Sequence, residues 1–293
     1  HWAVRLAEHN QAKLKIVDVL PDLTWIARLA LADSDNIHKA LAEEKRRNID
    51  ALAEPIRQKG ISVTTNVLSG KTSFAIMHEV LRSGHDLVVR VTKGAHSGRI
   101  GFFGTTSMKL LRKCPCALWL IRPDVQPRFT RVLAAVDPAP HEIAQEIMNK
   151  TIMNLGQSIA AYEEGQLHVV HVWGLSGGSA DESWLHPGTL EETVQKARME
   201  VTAALDDFLT PYKLSHRSDS VHLLHDESGP GPAISELAKK EQIDLVVMGT
   251  IARSGLAGAL LGNTAEKVLD RLECSVLAVK PDGFVSPVSL PDT

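Results

Sequence analysis

The chain has 293 residues, of which 44% are hydrophobic and 23% are charged, and its formal net charge at pH 7 is −3. This length suggests about two domains, and this composition is typical of a globular protein. Because the net charge is close to zero, it gives no reason to expect a nucleic-acid partner, which would require a basic face. No apolar run approaches the roughly 20 residues of a membrane-spanning helix, and the start of the chain lacks the apolar stretch of a signal peptide, so no membrane partner is expected.

Cysteine usage points to a reducing environment. The chain has 3 cysteines, and two of them form a Cys-Pro-Cys motif at Cys114 and Cys116. This number and spacing match neither a disulfide framework nor a zinc site. Because the neighbouring residues are apolar, we predict buried thiols and a cytoplasmic location.

An internal repeat divides the chain into two copies. The segment "DLVVRVTKGAHSGRIGFFGTTSMKLLRKCPCALWLIRPD" from Asp86 aligns without a gap with "DLVVMGTIARSGLAGALLGNTAEKVLDRLECSVLAVKPD" from Asp244. The alignment places Gly104 of the first copy on Gly262 of the second. Such a long period indicates duplicated domains, and we assign them to residues 1–125 and 126–284, with a tail at 285–293.

The first copy shows four short strand patterns, which are residues 14–20, 62–68, 86–91 and 117–121. The counterpart of the first strand of the second copy would precede residue 1. An open parallel sheet without this inner strand would leave backbone groups unpaired. We therefore expect the chain to be an N-terminally shortened form of a longer protein.

The second copy shows five strand patterns, which are residues 131–136, 167–173, 220–224, 244–248 and 275–279. These runs are apolar on both faces and most are separated by helical patterns, as expected for a parallel sheet covered by helices on both sides. Thr189 and Glu192 predict a capping box at the start of one helix, and Pro232 suits the first turn of another. After Gly262, a last helix is predicted with Ala265, Val268, Leu269 and Leu272 on its apolar face, and the first copy repeats this spacing from Ser107.

Several ordered motifs resemble those of the universal stress proteins. They are "MGT" at 248–250, "RSGL" at 253–256, "LLGNTAE" at 260–266 and "VLAVKPD" at 276–282. The resemblance implies an α/β protein of two tandem doubly wound, Rossmann-like parallel-sheet domains that form a pseudo-dimer. The final strands "ALWLI" and "SVLAV" are then candidate contacts between the copies. We expect a cytoplasmic, non-enzymatic protein that supports stress resistance.

Members of that family often bind ATP through the pattern Gly-x2-Gly-x9-Gly followed by Ser, Thr or Asn. In the second copy Gly249 and Gly262 fit this pattern, but Ala252 replaces the middle glycine. If that position needs a positive φ, alanine costs roughly 1 kcal/mol or more there. The candidate nucleotide or anion site of this copy comprises Asp137, Gly249, Thr250, Arg253, Gly262, Asn263 and Thr264. A capping box between Asn263 and Glu266 would compete with an anion at the same helix end.

The loop of the first copy is defective in a different way. Val91 replaces its first glycine, while Gly94 and Gly104 are kept. Its other candidate anion-binding groups are Thr105 and Thr106, with Lys93, His96 and Arg99 as nearby cations. We predict that each loop keeps the shape of an anion cradle but has lost tight ATP binding, so ATP or another nucleotide stays open as a ligand and no cofactor is assigned. The alternative that these glycines only form tight turns also stays open.

Other motifs give weaker indications. "SGKTS" at 69–73 lacks the first glycine of a P-loop, so a strand-to-helix turn is favoured. His168 with His171 and His222 with His225 are spaced so that each pair points to opposite faces of a strand, and a metal site would need histidines from different segments. No catalytic residue is assigned. Three alternatives stay open: a slow ATPase, a scaffold for a small or lipid-like ligand in crevices between the copies, and a homodimer.

Overall fold

A computed structural model describes residues 2–22, 34–92, 103–123, 128–138, 143–174, 187–250 and 262–290. The chain divides into two compact units, one of residues 1–85 with 288–293 and one of residues 86–287. This spatial division differs from the division by sequence repeat, because the second half of the first copy belongs to the larger unit. None of the helices in the described ranges is both long enough and apolar enough to cross a membrane.

The smaller unit contains a two-stranded parallel sheet. Its elements are α1 (Trp2–His9), β1 (Leu14–Leu20), α2 (Ser34–Arg57), β2 (Val63–Ser69) and α3 (Thr72–Ser83). The two strands pair along their whole length, and α2 and α3 pack against them. The "SGKTS" segment forms the turn from β2 into α3: Gly70 has a φ of +111° and Lys71 is exposed. The prediction of a strand-to-helix turn is therefore confirmed.

The larger unit is built on one seven-stranded sheet. Its elements are β3 (Leu87–Val91), α4 (Gly104–Lys113), β4 (Ala117–Ile121), β5 (Arg131–Ala135), α5 (Ile143–Tyr162), β6 (Gln166–Trp173), α6 (Pro187–Leu209), β7 (Val221–His225), α7 (Pro230–Lys240), β8 (Leu245–Gly249), α8 (Asn263–Leu269) and β9 (Ser275–Val279). The strand order is β3-β4-β9-β8-β5-β6-β7. Neighbouring strands are parallel except β4 and β9. The α/β fold with doubly wound, mainly parallel sheets is confirmed.

The two copies join where their last strands meet. β4 and β9 pair antiparallel, with Trp119 opposite Leu277. This confirms the predicted contact between "ALWLI" and "SVLAV". The first copy therefore adds β3 and β4 to the sheet of the second copy, while β1 and β2 form a sheet of their own. In the second copy β5 lies between β6 and β8, and no strand in the described ranges takes the corresponding place in the first copy.

The core of the larger unit lies along the central strands. Leu133 and its two neighbours in β5 have no exposed surface, which explains why these strands are apolar on both faces. Helix α5 approaches β5 and β6 closely because residue 156 is glycine. A Cβ there would lie 2.9 Å from Cδ1 of Leu167.

The predicted helices are present, with one change at a boundary. Helix α6 begins at Pro187, so Thr189 lies inside the helix and the predicted capping box at this position is wrong. Proline suits the first helical position because it has no N–H to leave unpaired. Pro232 lies in the first turn of α7, as predicted. The predicted apolar face of the last helix is buried at Ala265, Val268 and Leu269, whereas Leu272 is buried but lies beyond the end of α8 at Leu269.

The junction of β4 and β9 should be a main source of stability for the larger unit. Leu277 is 2% exposed and lies opposite Trp119 in this junction. We expect Leu277→Ala to lower the free energy of unfolding by about 2–5 kcal/mol, because it removes buried methyl groups and leaves a cavity. Urea unfolding measures the change. The matched control is Leu52→Ala on α2, where the side chain is 64% exposed and the change should be below about 0.5 kcal/mol. Equal losses in both variants would contradict a tightly packed junction.

Candidate functional site

The residues predicted for the second copy meet at the carboxyl ends of β5 and β8. These strands pair in parallel, with Ala135 beside Met248, so the segments that follow them start at the same edge of the sheet. Asp137 lies just beyond β5, while Gly249 ends β8 and Thr250 follows it. In doubly wound folds this edge is where ligands bind. The structure therefore brings these three predicted residues to one edge of the sheet, and their role in binding stays a prediction.

A buried asparagine holds the backbone of Asp137. The Asn149 side chain is on α5, in a residue that is 1% exposed. Its Nδ2 donates to the Asp137 carbonyl at 2.8 Å, and its Oδ1 accepts from the Asp137 N–H at 3.0 Å. Gln145 Nε2 also donates to this Oδ1, at 3.3 Å. Both backbone groups of Asp137 are thus satisfied, and its carboxylate extends from a fixed position.

A buried histidine lies next to the same segment. His171 on β6 is 7% exposed, and its Nδ1 lies 3.1 Å from the Val136 carbonyl oxygen. Because a carbonyl can only accept, Nδ1 carries the proton in this hydrogen bond. The same nitrogen lies 3.9 Å from Oδ1 of Asp137, which is too far for a direct hydrogen bond. His171 therefore supports the end of β5 beside the carboxylate.

Thr250 and Gly262 are bound to backbone groups of the chain itself. The Thr250 N–H and hydroxyl both bond to the Val279 carbonyl, at 3.3 and 3.2 Å. The Gly262 N–H donates to the Thr250 carbonyl at 3.0 Å. These donors lie at the candidate site, but their hydrogen bonds are made to backbone carbonyls of Thr250 and of Val279 on β9.

Neither glycine of this site is required by the structure described around it. Gly262 has a φ of −59°, which any residue adopts, so its backbone does not require glycine. A Cβ on Gly249 would lie 3.4 Å from Cγ of Met148 on α5, which is an ordinary van der Waals contact. The packing of α5 therefore does not require glycine at 249.

The predicted capping box at the last helix is wrong. Helix α8 begins at Asn263, so its N-cap is Gly262, and the Glu266 carboxylate pairs with Arg112 of α4. A residue from the other copy thus replaces the local partner that the sequence suggested. Arg253 lies outside the described residues, and for Asn263 and Thr264 only the backbone is described.

The first copy presents a helix start without an equivalent of Asp137. Gly104 begins α4 with a φ of +70° and no heavy atom near its absent Cβ, so glycine is favoured there by conformation. Thr105 is exposed and Thr106 is half-buried. Buried hydroxyls of Thr92 and Ser107 have no hydrogen-bond partner among the described residues. Gly94, with the cations predicted near it, lies outside the described residues.

One histidine of each pair named in the sequence analysis contacts one of the other pair on the neighbouring strand. Nδ1 of His168 on β6 lies 3.1 Å from Nε2 of His222 on β7, with the ring planes within 7° of each other. His225 instead bonds to Glu227 and stacks on Trp173. The two histidines of each motif thus have different partners, as predicted for residues three apart on a strand, which point to opposite faces. Within the described ranges, no group of three or more His, Cys, Asp and Glu is placed to hold a metal ion.

Sequence reasoning missed Asn149, and it considered His171 only as a possible metal ligand and did not place it beside Asp137. The sequence does indicate that both positions are unusual, because each places a polar residue in an apolar element. Asn149 interrupts an apolar helix face that includes Met148 and Ile152, and His171 lies within an apolar strand. A polar residue at a buried position requires a partner. The sequence did not identify that partner.

Removing the Asn149 side chain should destabilise the segment that carries Asp137. We expect Asn149→Ala to lower the free energy of unfolding by about 1–3 kcal/mol, because the buried N–H and carbonyl of Asp137 lose their partners. Urea unfolding measures this change. Asn10→Ala is the control, since Asn10 forms a single exposed hydrogen bond to Leu6 and should lose less than about 0.5 kcal/mol. A loss no larger than that of the control would contradict the role of Asn149.

The histidine pair should make stability depend on pH. Burial lowers the pKa of both His168 and His222, and the charge of His168 lowers the pKa of His222 further. Glu241 opposes the shift for both rings, while Arg131 lowers the pKa of His168 and Lys240 that of His222. Below about pH 6.5 these histidines therefore bind more protons in the unfolded chain than in the folded one. The free energy of unfolding falls as the pH drops from about 6.5 towards the lowered pKa values of the folded pair.

Unfolding by urea at about pH 7.5 and about pH 5.5 tests this dependence. His222→Gln keeps a hydrogen-bonding side chain but removes one titrating ring, so we expect a smaller loss of stability on acidification than in the unmodified chain. His9→Gln, at an exposed position on α1, is the control and should leave the loss unchanged. An unchanged loss in His222→Gln would contradict the assignment.

Comparisons with known proteins agree with this architecture. The model of the Universal stress protein family matches residues 1–122 and again residues 128–280. The chain is 28% identical to the universal stress protein E homolog of Haemophilus influenzae, over 95% of this chain and 91% of that protein. It is 26% identical to universal stress protein E of Escherichia coli K12, over 99% of this chain and 92% of that protein. The order of motifs in the sequence also predicted greatest likeness to universal stress protein E.

Two solved structures from Pseudomonas aeruginosa have the same fold. One, a protein of unknown function, has a TM-score of 0.72 and 26% identity, covering 96% of this chain and 86% of that chain. The other is described as a putative universal stress protein, with a TM-score of 0.68 and 25% identity, covering 92% of this chain and 93% of that chain. Since the family model matches both copies of the repeat, the chain belongs to the universal stress protein family.

Proposed function

We propose that the chain is a non-enzymatic, cytoplasmic stress-response protein whose degenerate loops bind nucleotides or other anions only weakly. Membership of the universal stress protein family supports the stress-response role. The cytoplasmic location is part of the proposal because the described cysteines are all free and buried, as expected in a reducing compartment. The weak binding is argued from the candidate site of the second copy.

One observation carries the proposal of weak binding. The Gly262 N–H, which a phosphate would need at the entrance of α8, donates to the Thr250 carbonyl at 3.0 Å. The Thr250 hydroxyl bonds inward to Val279 in the same way. A phosphate must break such bonds before it can accept from these donors, so part of its binding energy is lost. Helix α8 has only 7 residues, which limits the support its N-terminus gives to an anion.

Asp137 is the group of this edge best suited to recognise a nucleotide. Its backbone is held on both sides by Asn149, and its side chain keeps 38% of its surface exposed. A carboxylate accepts hydrogen bonds from ribose hydroxyls or base amino groups but repels phosphates. We therefore assign it to the nucleoside end of the ligand.

The arrangement gives little support to catalysis. Transfer or hydrolysis of a phosphoryl group needs positioned cations and a group that orients the nucleophile. His171 is buried and its Nδ1 is bound to the Val136 carbonyl, so it supports the strand end. The slow ATPase therefore remains the alternative that the experiment below must exclude.

The alternative of a ligand-binding scaffold has one feature of its own. A cavity of about 330 Å³ opens beside α7, near the start of β9. Its charged lining residues are Arg122, Glu236, Lys239, Arg271 and Glu273. Charges of both signs favour a small polar ligand over a lipid-like one. The cavity lies at the amino ends of the strands, away from Asp137, and it would serve a separate ligand.

Calorimetric titration with ATP and Mg²⁺, combined with an assay for released phosphate, tests the proposal. We expect a dissociation constant weaker than about 10 μM and no phosphate release. Asp137→Asn should weaken binding by about fivefold or more, because a charged acceptor is lost. Asp270→Asn changes the same charge at the exposed far end of α8 and should have no effect.

Submicromolar binding accompanied by hydrolysis would contradict the proposal and favour the ATPase. Equal effects of the two substitutions would remove Asp137 from the site. No binding of ATP up to about 1 mM would overturn the nucleotide assignment, and titration with inorganic phosphate alone would then test the anion cradle.

A further inference from the structure

The Cys-Pro-Cys motif brings two thiols together at the junction of the two copies. Cys114 ends α4, where its N–H bonds to the Leu110 carbonyl, and Cys116 immediately precedes β4. Their sulfur atoms are 3.7 Å apart. Cys114 is fully buried, while Cys116 is 9% exposed. The pair is close enough for an S–H···S contact, and a disulfide of about 2.05 Å needs the sulfurs to approach by less than 2 Å.

A half-buried lysine lies beside this pair. Lys280 follows β9, and its Nζ donates to the Leu111 carbonyl of α4 and lies 4.8 Å from the centre of the Phe284 ring. Burial lowers the pKa of Lys280 to about 8, while the charges of the two cysteines oppose this shift. A cation held at the end of α4 is thus available to stabilise a thiolate.

The two thiols have unequal acidity. The hydrogen bond from Cys116 and the charge of Lys280 lower the pKa of Cys114, against the effect of burial. The pKa of Cys116 is raised, first by that same hydrogen bond and then by burial. Cys114 is therefore the better candidate for the thiolate of the pair. Cys274 provides the contrast within the same chain, because burial raises the pKa of its thiol to about 12.

We propose that Cys114 and Cys116 form a thiol-oxidation site, which a hydroperoxide converts reversibly into an intramolecular disulfide. Three features combine here: two sulfurs in contact, a half-buried lysine at the same helix end, and slight exposure of Cys116, past which a small oxidant enters. The site lies apart from Asp137 and does not depend on nucleotide binding.

The reaction has two balanced steps. With hydrogen peroxide as the hydroperoxide, the Cys114 thiolate attacks one peroxide oxygen and the O–O bond breaks, which leaves a sulfenic acid on Cys114, and the departing hydroxide takes the proton that the Cys114 thiol released and becomes water. The Cys116 sulfur then attacks the Cys114 sulfur, the S–O bond breaks, and the hydroxide leaves with the proton of Cys116 as a second water. The two sulfurs supply the two electrons that reduce the hydroperoxide.

Peptide mass spectrometry of the full chain after treatment with hydrogen peroxide tests the proposal. Trypsin places Cys114 and Cys116 in one peptide, residues 114–128, and Cys274 in another, residues 272–293, because the Arg122–Pro123 and Lys280–Pro281 bonds resist cleavage. We expect the first peptide to lose two hydrogens and to resist alkylation, and a dithiol reductant to reverse both changes. Cys274 should remain an alkylatable thiol and react at least about tenfold more slowly.

Variants separate the roles of the two cysteines. Cys116→Ser should leave a sulfenic acid on Cys114 that dimedone traps, because the second step has no thiol. Cys114→Ser should abolish fast oxidation of the peptide, and Cys274→Ser should change nothing. Lys280→Met should slow the oxidation by about threefold or more, whereas Lys109→Met, at an exposed position on α4, should not.

Several results would overturn the proposal. They are an unchanged 114–128 peptide, a disulfide only between chains, or oxidation of Cys274 as fast as that of the pair. A wild-type chain that accumulates sulfenic acid without closing the disulfide would also overturn it. The measurement on the unsubstituted chain decides the question even where a variant fails to fold.

Discussion

The antiparallel pairing of β4 with β9 is the constraint on which the rest of the larger unit depends. An edge strand exposes a row of unpaired backbone groups, and here the last strand of each copy covers the edge of the other. The pairing also brings the neighbouring helices together, so that Arg112 of α4 meets Glu266 of α8. When the register is continued by two residues, Cys116 lies opposite Lys280. The thiol pair and its cation are therefore a consequence of how the copies join.

The fold could be predicted because its signals are local. Runs of β-branched residues set the strands, and the observed bounds Leu14–Leu20, Ala117–Ile121 and Ser275–Val279 coincide with the predicted ones. The repeat then supplied what local patterns lack, since two equivalent final strands suggested a mutual contact. The division of the first copy between two sheets was not predicted, because strand order depends on backbone pairing over long distances.

The sequence could predict which candidate residues share one sheet edge, but it could not predict their hydrogen-bond partners. The carboxyl ends of neighbouring parallel strands lie at the same edge of a sheet regardless of their side chains. Asp137 and Thr250, which follow β5 and β8, could therefore be placed together from the sequence. The partners of polar side chains could not be placed, because they come from distant segments. Asn149 reaches Asp137 from a separate helix. Glu266 was expected to cap its own helix, but its carboxylate instead pairs with the guanidinium of Arg112 from the other copy. An ion pair of this kind forms a charge-assisted hydrogen bond, which is stronger than a neutral one.

Glycine spacing alone does not establish a phosphate cradle, because only one of three glycines in these loops has a backbone that favours glycine. Gly104 has a positive φ, whereas Gly262 has a backbone that any residue adopts and a Cβ on Gly249 would make an ordinary contact with Met148. The affinity of such a loop for an anion depends on which groups its N–H donors already bind. In the second copy the N–H of Gly262 donates to a carbonyl of the chain. An anion must replace such a bond, worth about 1 kcal/mol, before it gains anything from this donor, so this glycine spacing is compatible with weak anion binding.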